Sequence, residues 1–110
     1  MDAREFYDQI EKADDELVEL SYAFDDLMRK TEDCSSRLEE LATDAAEIKD
    51  EEKREKFASV LSILICRLNE ISEECYKVSG EIDNVREYDF SELVIEADEM
   101  ADEEKKNPSN

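Results

Sequence analysis

From Phe6 to Ile48 the apolar residues return at steps of four and three without a slip: Phe6, Ile10, Ala13, Leu17, Leu20, Phe24, Leu27, Thr31, Cys34, Leu38, Leu41, Ala45, Ile48. Thr31 is the one clearly polar member. The rhythm restarts at Phe57 and continues through Leu61, Leu64, Leu68, Ile71, Cys75, Val78, Ile82 and Val85. A 4,3 alternation puts every member on one side of an α-helix, as in a coiled-coil seam. One Gly and one Pro in 110 residues leave little punctuation for sheets or tight loops. The expected fold is all-α: a long antiparallel helical hairpin or coiled-coil-like bundle with a short third C-terminal helix. Pairing of two hairpins into a four-helix bundle is one way to complete it.

The first helix is expected from about Ala3 to Ile48, with Asp2 as N-cap, roughly 70 Å at 1.5 Å per residue. Within "KTEDCSSRLEE", Ser36 and Glu39 have the form of a capping box. Residues 31–36 therefore read either as a turn or as continuing helix, and the unbroken phase favours helix. "KDEEKREK", Lys49 to Lys56, has no seam residue, and the chain is expected to reverse there. Asp50 is the cap of the second helix, and Glu51 and Glu52 suit its positive end. Gly80 falls on the outer side of that helix. "EYDFSELVIEADEM" reads as a separate third helix, with Ser91 as N-cap and Phe90 stapled onto Ile95. Residues 1–104 are expected to form one acidic helical domain, and 105–110 a disordered polar tail.

"FASVLSILIC", Phe57 to Cys66, is the longest stretch without a charge. A helix apolar on nearly every side needs cover on nearly every side. Two coverings are open. A second copy can pack there, with Val60, Ile63, Ile65 and Cys66 at a homo-oligomer interface. Alternatively the run is the central core of a monomeric three- or four-helix bundle.

The chain carries 34 acidic and 14 basic residues and no His, for a net charge of −20. Such a charge disfavours direct binding to nucleic acid or anionic membranes, since phosphate contacts need Lys and Arg. Lack of His removes imidazole catalysis and His–metal ligation. Cys34, Cys66 and Cys75 are odd in number and lack a CxxC pair, which points to free thiols in a reducing, cytoplasmic compartment. "MDAREFYDQIEK" has no apolar core for a signal peptide, and ten uncharged residues are too few to span a bilayer.

Catalytic candidates are few. Glu51, Glu52 and Glu55 with Glu70 and Glu73 loosely follow the EExxE…ExxE/D pattern. In this they resemble the MazG-type nucleotide pyrophosphohydrolases, whose carboxylates hold Mg²⁺. All five project away from the seam, whereas a metal site in a bundle needs inward projection, so a solvated surface is the better reading. There is no nucleophile–His pair, Gly-rich phosphate loop or EF-hand frame. No enzyme activity, metal or cofactor is expected.

The acidic residues are the strongest feature outside the seam. Asp15, Glu19, Asp25, Asp26, Glu32, Asp33, Glu39 and Glu40 crowd the side of the first helix opposite it, with few counter-charges. Ordinary surface helices alternate the two signs at i,i+4. Val18 and Tyr22 make a small apolar spot inside this rim. It reads as a partner anchor or as the seat of the third helix. In size, charge and helical make-up, though not in any motif, the chain resembles small acidic phage-encoded inhibitors such as DNA mimics and anti-CRISPR proteins. The crowded carboxylates themselves either fit a basic partner, a nucleic-acid-handling protein, bound in place of nucleic acid, or form a solvated face that keeps the helices soluble. A homo-oligomeric coiled-coil adaptor, scaffold or chaperone is the other expectation.

Overall fold

A computed structural model describes residues 1–106; Asn107 to Asn110, the greater part of the expected tail, lie outside the described residues. The protein is an all-α helical hairpin. Helix α1 spans Ala3–Ala45, α2 spans Glu51–Asn84, a π-helical turn covers Val85–Asp89, and α3 spans Phe90–Lys106. No strand occurs among the described residues. Lys105 and Lys106, assigned to the tail from sequence, close α3 instead.

Both helix starts follow from short polar side chains. The Glu5 amide donates to Asp2 Oδ1 at 2.9 Å, and the Lys53 amide donates to Asp50 Oδ1 at 3.2 Å. Each satisfies one of the donors a helix leaves unpaired at its N-terminus. α1 ends at Ala45, three residues before the expected Ile48. The Glu47 and Ile48 amides turn back onto Asp44 and Ala45, and the Arg54 guanidinium donates to the Ile48 carbonyl at 3.0 Å. Arg54 thus closes the turn from the second helix. α1 runs through residues 31–36 as helix. There the Thr31 hydroxyl donates to the Met28 carbonyl, a local bond that helices tolerate.

The third helix does not begin at a cap. The Phe90 amide donates to the Val85 carbonyl five residues back, and Ser91, expected as N-cap, donates its hydroxyl to the Glu87 carbonyl. One extra residue is thereby inserted without breaking the helix, as π-turns do. The reason lies in the seam. From Ile82 and Arg86, a strict 4,3 step would next bring the charged Asp89 inward. The inserted residue brings Phe90 there, half-buried, and leaves Asp89 exposed. Where the sequence reads as a separate helix capped by Ser91, the chain instead continues through a π-turn. Phe90 does not bury Ile95, which stays exposed.

The chain divides into two compact units, Ala23–Val78 and Met1–Tyr22 with the described chain from Ser79 onward. In the terminal unit the helices run antiparallel and are tied by polar links. Arg86 Nε donates to Asp14 Oδ1 at 2.7 Å and Nη2 to Oδ2 at 3.3 Å, the Tyr7 hydroxyl donates to Asp98, and the Ala3 amide donates to Glu104 at 2.8 Å. Ala3, Ile10 and Ala97 are its buried apolar residues, and Ser21 lies 3.3 Å from Ser79 in its interior. In the central unit the Ser35 hydroxyl donates to Asn69 Oδ1 at 3.0 Å and the Ser72 hydroxyl to Glu32 at 3.4 Å. Ala45, Leu61, Cys75, Thr31 and Ser35 are buried there.

These contacts correct the predicted seam. Alternate members, such as Ile10, Thr31, Ala45, Leu61 and Cys75, do face the partner helix. The members between them do not: Leu20, Leu27, Cys34, Leu41, Phe57, Leu64 and Ile71 are exposed. For several of them the next residue along is buried or half-buried instead, Ser21, Ser35 and Ser72 among these, and Ser79 is buried beside the half-buried Val78. Small hydroxyl side chains let two backbones approach and satisfy each other across the gap, and interaxial distance follows the side chains at the contact. The larger apolar residues are left on one open flank.

Candidate protein-binding surfaces

The open flank is clearest in the central unit. Leu27, Leu41, Phe57, Leu64 and Ile71 remain 43%, 44%, 46%, 45% and 45% exposed. Near the turn, Leu41 from α1 and Ile48 from the turn itself meet Phe57, Val60 and Leu61 from α2 in an apolar groove of about 510 Å³, edged by Lys53 and Lys56. Further along, Phe24 meets Ile71, Cys75 and Val78 in a second groove of about 310 Å³, edged by Glu70 and Glu74. The residues of both grooves come from the two helices together, so their apolar flanks lie on the same side of this unit. The other side carries the Ser35–Asn69 and Ser72–Glu32 bonds, with Tyr76 exposed beside the latter.

The uncharged run is half of this flank. Of Phe57 to Cys66, only Leu61 is buried, so the run is not a monomer's central core. The four residues expected at an oligomer interface do not share one face. Val60 edges the apolar groove, Ile65 is half-buried, and Ile63 and Cys66 are exposed further round the helix.

The acidic residues of α1 are placed along its outer side in each unit. In the terminal unit Asp15 and Glu19 are exposed beside Val18, which is half-buried, and Tyr22, which is 69% exposed. No third helix covers Tyr22. In the central unit Glu32, Asp33, Glu39 and Glu40 are exposed, and Asp25 and Asp26 are half-exposed. Two of these carboxylates have local counter-charges: Asp26 with Lys30 at 2.9 Å and Arg29 at 3.8 Å, and Asp33 with Arg37 at 3.2 Å. The Lys30 ammonium, and more weakly Arg29, hold the Asp26 carboxyl below the usual carboxylate range. Asp15, Glu19, Glu39 and Glu40 have no ion-pair partner among the described residues.

A scan against protein-family models, a search of curated proteins and a search of solved structures each found no match. Function therefore rests on the surfaces themselves. Among the described residues no three His, Cys, Asp or Glu side chains converge as a metal would require. Glu51, Glu52, Glu55, Glu70 and Glu73 are all exposed. No described helix is long and apolar enough to cross a membrane.

Sequence reading missed Asp14, Ser21, Ser35, Asn69, Ser72, Ser79 and Arg86, the polar residues that join the helices. A signal was present: Ser72 and Ser79 are seven residues apart, and Ser21 and Ser35 fourteen, the spacing of one helix face. Asp14 and Arg86 gave no such pattern. Their pairing depends on how the two helices pack in the terminal unit, where the Arg86 guanidinium is held further toward its charged form by the hydrogen bond to Asp14.

Proposed function

We propose that this is a non-enzymatic acidic interaction protein whose α1 surface binds and blocks a basic surface on a nucleic-acid-handling protein. Exposed carboxylates on the outer side of α1 without counter-charges support this most directly. Carried on α1 in each unit, they present negative charge of the kind a nucleic-acid channel receives. Tyr22 and Val18 add an aromatic and an aliphatic contact inside the acidic rim, the composition of an interface anchor. Long-range attraction of this kind raises the association rate and weakens with salt. Inhibition of the anti-CRISPR or DNA-mimic sort is the form the binding takes under this reading, and a reducing cytoplasm is the compartment that suits three free thiols.

A pull-down from cell extract at low salt, followed by a wash, tests the reading. Captured basic partners are expected to elute between about 50 and 500 mM salt, over which the Debye length shortens severalfold. Replacing Glu39 and Glu40 by Gln, or Tyr22 by Ala, is expected to weaken capture. A complex indifferent to salt and to these changes overturns the proposal. The scaffold or adaptor reading is favoured by a different observation, the open apolar flank, whose occupant is argued next.

A further inference from the structure

We infer that the open flank of the central unit, Ala23–Val78, is the seat of a second copy of the same chain, docked antiparallel. The inference is independent of the basic-partner reading, since it concerns the purified chain alone.

Leu27, Leu41, Phe57, Leu64 and Ile71, from both helices of this unit, are left nearly half exposed along one flank, while the opposite side carries the serine bonds to Asn69 and Glu32 and the exposed Tyr76. Apolar patches of that continuity on a soluble surface mark a contact. From Leu27 to Leu41 the flank runs about 21 Å along α1 at 1.5 Å per residue, and Phe57 to Ile71 runs the same distance along α2. Both lengths suit a helix-on-helix interface.

Charge selects the occupant and its direction. The groove at the turn end is edged by Lys53 and Lys56, and the groove at the far end by Glu70 and Glu74. A second copy laid antiparallel sets the lysines of one chain over the glutamates of the other at both ends. A parallel copy sets like over like. The antiparallel arrangement is isologous, the same patch meeting itself about a two-fold axis, and so closes without further growth. It also offsets, at this face, the repulsion that a net charge of −20 otherwise imposes on self-association. Glu39 and Glu40 line neither groove of this flank.

Sedimentation equilibrium on the full chain, with circular dichroism as a control for helix content, tests this. The unaltered chain is expected to dimerise. The pair Lys53→Glu and Lys56→Glu is expected to weaken the dimer by about tenfold or more, and adding Glu70→Lys and Glu74→Lys to restore most of that loss. Leu64→Gln, on the same flank but uncharged, is expected to weaken the dimer while helicity persists. A chain that stays monomeric at submillimolar concentration overturns the inference. So does a dimer that ignores both the lysine reversal and Leu64→Gln. A four-residue reversal no tighter than the two-residue one overturns the antiparallel direction. Loss of the dimer has no bearing on salt-sensitive capture of a basic partner by monomer, so the two proposals fail separately.

Discussion

The two units solve the same packing problem differently. In the terminal unit, α1 is joined to the chain beyond Ser79 by directed polar links, Asp14 with Arg86, Tyr7 with Asp98 and the Ala3 amide with Glu104. The apolar residues buried there are one Ile and two Ala. The central unit has two weaker side-chain bonds between its helices and a longer row of large apolar residues, most of which it fails to cover. Hydrogen bonds and ion pairs fix register but add little net stability at half-exposed positions. Apolar burial stabilises more but needs a partner surface. The terminal unit fixes its register with polar links yet leaves Leu20, Val94 and Ile95 open, and the central unit leaves a longer apolar row open with fewer such links.

The largest expected effect comes from the one large apolar side chain the central unit does bury. Leu61→Ala should lower stability by roughly 2–3 kcal/mol, the low end for Leu→Ala because the site lies beside an open groove and can relax. Thermal unfolding followed by circular dichroism reads it, and a loss below about 0.5 kcal/mol, the size of an ordinary surface change, would show that Leu61 is not the anchor. Next is the cap of the same unit. Asp50→Ala removes the acceptor for the Lys53 amide and should cost about 1 kcal/mol; urea midpoints compare it with the unaltered chain. In the terminal unit Gly80 is exposed, and an added Cβ would meet nothing within 4 Å. Gly80→Ala should therefore raise stability by about 0.5–1 kcal/mol. A destabilised variant would reveal a contact at that position.

The smallest effect is a pH dependence confined to the terminal unit. The Tyr7 hydroxyl donates to Asp98, and that bond, with lesser contributions from desolvation and from the Asp98 and Asp102 charges, raises its pKa above the usual tyrosine value. Because the folded-state value is the higher, the contribution is full below the unfolded value near 10. It is lost as pH rises through the folded value. Tyr7→Phe should flatten the alkaline limb of the stability–pH curve and leave its neutral region with a small uniform loss. An unchanged alkaline slope would mean that another group sets it.

Much of this protein was legible before any coordinates. Two helices, their antiparallel return near Asp50, the continuity of α1 through Thr31 and the acidic outer side follow from spacing, capping residues and the scarcity of Gly and Pro. These are local properties: each depends on residues within a turn or two of one another, so periodicity carries them. The seam was read half correctly. Ile10, Thr31, Ala45, Leu61 and Cys75 were placed inward, whereas Leu27, Cys34, Leu41, Phe57, Leu64 and Ile71 were given a cover they lack. Hydrophobicity names the residues that ought to be buried, but not which neighbour of a central position does the touching. The rotation of one helix against the other decided that, and it put Ser35, Ser72 and Ser79 inside because small polar groups can pair at close approach. The π-turn at Val85–Asp89 belongs with these tertiary outcomes. It exists because packing prefers Phe90 to Asp89 at one position on α1, a preference with no expression in the sequence of that turn alone.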